Sequence, residues 1–148
     1  MNAVSHATTL GLTSKIAHLA ILFRAEFPNA TADLSPWLSD EQTQRLLNPN
    51  SIDLCFHFPQ PHIQMNCSSV LILTHFSQEL TLSSCELNMV EASGFNGTVQ
   101  QWQFSTADGE FAGNSPPQKE LQERFRKMVS HIFELFQRPN YLKITTEQ

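Results

Sequence analysis

From Ser51 to Phe58 the apolar residues recur at every second position, Val70-Leu71-Ile72-Leu73 reads as a fully buried extended run, and alternation returns on the two sides of Asn96-Gly97. Outside this stretch, at Lys15–Phe27 and Ser115–Gln137, apolar residues recur at helical spacing. A period of two suits a half-buried strand and a period near 3.6 an amphipathic helix, and neither pattern buries its apolar side in the other conformation. The order helix, strands, helix therefore predicts an α+β fold: an N-terminal helix, a four- to five-stranded antiparallel meander sheet and a long C-terminal helix. Both helices are expected to pack on one sheet face, the simplest way to bury each apolar side. The 148 residues fit a single globular domain over 1–148, since a chain of about 150 residues buries roughly 68–70% of its unfolded surface.

Punctuation sets the element boundaries. Residues 1–12 lack periodicity and read as frayed. Ser14 caps a helix over Lys15–Phe27 that Pro28 stops. Ser35-Pro36 opens a turn holding Trp37 and Leu38, and Ser39 with Gln42 opens a short helix to Leu47. Ile52, Leu54, Phe56 and Phe58 alternate with Asp53, Cys55 and His57. If residues 59–62 form a four-residue loop, the next strand, His62–Phe76, pairs Phe58 with Ile63, Phe56 with Met65 and Leu54 with Cys67. A longer loop would start that strand near Ser69. A third strand over Ser83–Gly94 meets a fourth over Thr98–Thr106 through Asn96-Gly97, the signal of a two-residue type I′ hairpin. That register sets Phe95 against Thr98, Ser93 against Gln100, Glu91 against Trp102, Met89 against Phe104 and Leu87 against Thr106. Asp108-Gly109 turns the chain once more, with Phe111 adding a short edge strand. Ser115-Pro116 with Gln118 opens the last helix, which Pro139 ends, and residues 141–148 are a tail or a short edge strand.

Charge and cysteine usage remove several functions. Fourteen acidic against nine basic residues leave a net charge of −5, whereas duplex binders carry a basic face that neutralises phosphates. The one basic cluster, Lys119, Arg124, Arg126 and Lys127, alternates with Glu120 and Glu123 as a salt-bridged helix surface does. Nucleic acid and membrane are accordingly not expected as partners. Met1–Leu12 has neither a charged start nor an apolar run, so no secretory signal is read and a cytoplasmic location is expected. Cys55, Cys67 and Cys85 are spaced as no zinc or redox motif is and are expected to be reduced and mostly buried. No cofactor is implied.

Two sets of residues bear on chemistry. Asp53, Cys55 and His57 project from one face of a strand with neighbours about 6–7 Å apart, a spacing that brackets a metal ion if a neighbouring strand adds a third ligand. The residues predicted opposite, Gln64, Asn66 and Ser68, are poor zinc ligands, so this face is expected to be solvated and metal-free. The hairpin register sets Glu91 beside Trp102 on the apolar face, with Ser93 and Gln100 extending the polar patch. A carboxylate there either overhangs the helices in water or rims a ligand pocket. There is no Gly-x-Ser-x-Gly elbow and no glycine-rich loop, so no catalytic residue is assigned.

The first helix carries surplus apolar surface. Ile16, Leu19, Ala20, Phe23 and Phe27 supply one face for the sheet, and Ile21, Leu22 and Ala25 form a second stripe around His18. A helix apolar on both sides is normally buried on both. The Trp37–Leu47 segment, a second copy or a protein partner could cover the stripe. The function expected on these grounds is a non-catalytic interaction or accessory protein acting by self-association, as a homodimer, or with a protein partner. The alternatives are a small-molecule-binding module with a pocket near Trp102, and an enzyme using Glu91 or the Asp53–Cys55–His57 face.

Overall fold

A computed structural model describes residues 1–37, 48–77, 80 and 86–137. The fold is α+β. A 3-10 turn over Ala3–His6 leads to α1 (Leu10–Glu26), followed by β1 (Thr31–Asp33), β2 (Ser51–His62), β3 (Cys67–Phe76), β4 (Leu87–Asn96), β5 (Val99–Ser105), β6 (Glu110–Ala112) and α2 (Lys119–Gln137). All six strands form one antiparallel sheet in chain order. The strand count exceeds the four to five expected because β1 has only three residues, too few to show a period. The helix expected at Ser39–Leu47, the start of the third strand at Ser83, Cys85, Pro139 and residues 141–148 lie outside the described residues.

α1 begins four residues before the Ser14 cap expected from sequence, because Thr9 caps it: its Oγ1 accepts from the Leu12 amide at 3.2 Å. α2 begins at Lys119 and not at Pro116. The intervening residues are tied to the sheet, with Ser115 N donating to Gln101 O and Gln118 N to Gln64 O, each at 3.0 Å. The two helices lie side by side and antiparallel: Arg124 pairs with Glu26 at one end, and the Lys15 ammonium sits over the Phe136 ring at the other. Both pack on the same sheet face. Phe23 stacks on Phe56 with centroids 3.9 Å apart, and Phe125 meets Trp102 and Phe104 at 6.0 and 5.7 Å.

The two predicted registers are corrected. β2 does not stop at Pro59-Gln60-Pro61 but runs on to His62. The turn is Ile63–Asn66, closed by Asn66 N donating to His62 O at 2.8 Å, with Asn66 at φ 58°. Phe56 therefore pairs with Val70 and Leu54 with Ile72, not with Met65 and Cys67. The prolines are tolerated because the ladder is interrupted between His57 and His62, where no N–H is required of them. In the second hairpin the loop is Gly97-Thr98, and Asn96 pairs with Val99. Gly97 takes φ +61° at the first loop position, the place of glycine in a II′ turn. An irregularity between Gly94 and Phe95 then sets Gly94 against Trp102 and Glu91 against Ser105. Trp102 lies flat on Gly94, where an added Cβ would stand 2.3 Å from the indole, and its Nε1 donates to Met65 O at 2.7 Å.

Residues 1–12, expected to be frayed, are instead tied to the sheet edge. Asn2 bridges Asp53 in parallel, Asp53 N donates to Met1 O, and Val4 N donates to Leu34 O. His6 is buried with Nε2 on Ser51 O at 2.9 Å, and that burial holds its pKa below the usual 6.5. The segment and β1 together cover the outer edge of β2 from Asp53 to His57.

Candidate functional site

Each candidate from the sequence has a definite place. The Asp53–Cys55–His57 face is not solvated as expected: Asp53 is 4% and Cys55 8% exposed, and only His57 is open. The Asp53 carboxylate accepts from the Met1 ammonium at 2.6 Å, from Trp37 Nε1 at 2.6 Å and from Ser51 Oγ at 2.7 Å. It is fully used in holding the N-terminal segment. His57 stands 3.6 Å from Asp33. Among the described residues no group of three His, Cys, Asp or Glu side chains could hold a metal ion.

Glu91 and Trp102 do not meet. The shifted hairpin register sends Trp102 to the helix-covered face, where it is fully buried, and leaves Glu91, Ser93 and Gln100 on the other face. Glu91 Oε1 lies 2.6 Å from Nε2 of His75 but off the direction of the ring N–H. The contact is an ion pair when the imidazole is protonated and leaves that nitrogen without a hydrogen bond. His75 escapes the sequence reading because nothing local sets the β3–β4 register, which pairs Leu73 with Glu91 and so brings His75 diagonally beside that carboxylate.

The first helix keeps its second apolar side. Leu10, Thr13, Ala17, Ile21, Arg24 and Ala25 are its exposed positions, and Arg24 is the single charge among them. In α2 six of the nine exposed positions are charged: Lys119, Glu120, Glu123, Arg124, Lys127 and Glu134. Leu10 and Ile21 are 62% and 60% exposed on the same outward stripe. Leu22 departs from expectation: at 100° per residue it turns towards α2 and packs against the core. With His18, His131, Glu134 and Leu135 it lines a cleft of about 240 Å³ between the helices. Leu10 was missed because the helix was expected to start later, although Thr9 is a legitimate cap signal.

A second concavity of about 580 Å³ lies at the far end of β2, lined by Phe58, Pro59, Gln60, Pro61 and Ile63 among others. Over residues 4–138 the chain matches a family described as a domain of unknown function. It belongs to that family. No curated protein and no solved structure matches it. Among the described residues no helix is long and apolar enough to cross a membrane.

The two described thiols of this family member are poor nucleophiles. Burial pushes Cys55 up to about 11 and Cys67 up to about 12, so almost no thiolate exists near neutrality. Native protein treated with iodoacetamide should remain unmodified at both positions by peptide mass mapping, with full labelling after unfolding. Native labelling of either at the rate of a free thiol would show that the site opens.

Proposed function

We propose that this chain is a non-catalytic interaction protein that acts by association, with itself or a protein partner, through the outward face of α1. The observation that carries the reading is the absence of charge, Arg24 apart, along the exposed side of a 17-residue helix. Contiguous apolar surface on a protein in water usually marks an interaction site. Trp37, the described end of the segment weighed as a cover for this stripe, is held by Asn2 and Asp53. The enzyme alternatives draw no support from geometry, since Asp53 is committed to the N-terminal segment and none of the cavities above is lined by Glu91 or His75. The small-molecule alternative loses its pocket because Trp102 fills the core. Buried, reduced Cys55 and Cys67 favour a cytoplasmic setting as part of the same proposal.

The test uses two exposed isoleucines. Burying one isoleucine side chain contributes about 1.5–3 kcal/mol, so Ile21→Lys should weaken association roughly 100-fold, read by sedimentation and by mass spectrometry of co-purifying protein from native cells. Ile63→Lys, at a position 83% exposed on the β2–β3 turn, should leave association unchanged. Association that survives Ile21→Lys at wild-type strength rules this face out. Leu22 is unsuited to the test because it supports the fold.

A further inference from the structure

We infer that the occupant of the α1 face is a second copy of this chain, the two α1 helices lying antiparallel about a two-fold axis near Ala17 and Ile21, with Lys127 of each copy against Glu134 of the other. The inference rests on the reading of this face as an association surface and names its partner. Size is the first argument. Ile21 and Ala17 are one turn apart on the outward stripe, so reversing the helix against itself seats the large side chain of each copy over the small one of the other, a ridge entering a gap. The same reversal carries Leu10 to the far end of the mate, opposite Pro28, and sets Thr13 over Ala25.

Charge is the second argument. Lys127 and Glu134 are seven residues apart, hence on one outward stripe of α2. The direction of α2 beside α1 is fixed by the Arg124–Glu26 pair at 2.9 Å and the Lys15–Phe136 contact at 5.7 Å. Lys127 therefore lies towards the C-terminal end of α1 and Glu134 towards its N-terminal end. Among the described residues neither forms an ion pair within the chain. A two-fold axis across the helices inverts this order and brings each charge to its opposite. Closed two-fold pairing is also the commonest form of soluble assembly.

The experiment is sedimentation equilibrium on the full chain. Wild type should be a dimer. Lys127→Glu and Glu134→Lys each place like charges at two symmetric contacts and should weaken the dimer roughly tenfold. Neither residue is in the core, so both variants should melt with wild type. An equimolar mixture of the two variants should recover wild-type affinity, because every contact in the mixed dimer again joins opposite signs. A mixture no tighter than the variants alone overturns the inference, as does a wild type that stays monomeric at its highest soluble concentration. A monomeric wild type whose Ile21→Lys variant still loses a partner in native cells overturns only the second-copy assignment. A monomer from which Ile21→Lys removes nothing overturns the association reading as well.

Discussion

Phe125→Ala is expected to lower the melting temperature by about 6–20 °C, the shift that a core Phe→Ala loss of about 3–5 kcal/mol gives at this chain length. Phe125 is fully buried and its ring sits within 6.0 Å, centroid to centroid, of Trp102, Phe104 and Phe111. Truncating it removes an aromatic contact through which α2 holds β5 and β6. It also leaves a void that Trp102 cannot fill, because the indole is clamped between Gly94 and the Met65 carbonyl. The loss is a large share of the roughly 5–15 kcal/mol that holds a domain together. Lys119→Ala, at an exposed position of the same helix, should melt within error of wild type. Thermal unfolding followed by circular dichroism decides the matter, and a Phe125→Ala protein melting with wild type would mean that α2 is not integral to the core.

Asp53→Ala should be of similar weight, by a different mechanism. The buried carboxylate accepts from an ammonium, an indole and a hydroxyl. Removing it leaves the indole and hydroxyl donors short of an acceptor, at about 1–3 kcal/mol each, whereas the ammonium, 40% exposed, turns to water. The damage should be local before it is global. Trp37 should lose its anchor and its fluorescence should shift to the red, while Trp102, bonded to Met65 O, keeps buried emission. Urea unfolding should show the lowered midpoint. An unshifted Trp37 signal together with an unchanged midpoint would show that Asp53 is not the anchor of the N-terminal segment.

The parts of the fold legible in sequence are those that repeat. Period two over Ile52–Phe58 and period 3.6 over Leu121–Phe136 were enough for α+β and for the helix-covered face. What escaped was set by single residues or by distant partners. Shifting the hairpin loop by one position, from Asn96-Gly97 to Gly97-Thr98, and adding one irregularity at Gly94 moves Glu91 away from Trp102. The irregularity follows from the indole lying on Gly94, a contact between neighbouring strands that no local pattern encodes. The N-terminal residues have no period because their order comes from hydrogen bonds to residues some 50 positions away. At the candidate site the sequence identified a two-sided α1 and placed Ile21 and Ala25 on its outer side. Helical geometry then assigns Leu22 to the α2 side and Leu10 to the outer stripe, once Thr9 and not Ser14 is recognised as the cap.

The position of α1 in the chain has a consequence for biosynthesis. α1 leaves the ribosome ahead of the segments it packs against, Phe56 of β2 and α2, whose residues begin at Lys119. At about 5–20 residues per second, the interval between Glu26 and Arg124 lasts roughly 5–20 s. Throughout that time the nascent helix has apolar surface on two sides and no native neighbour along α2. Such a segment is what chaperones at the exit tunnel hold. Slowing translation after Glu26 should therefore lengthen its dependence on them, whereas reordering the chain so that α1 follows α2 would remove it.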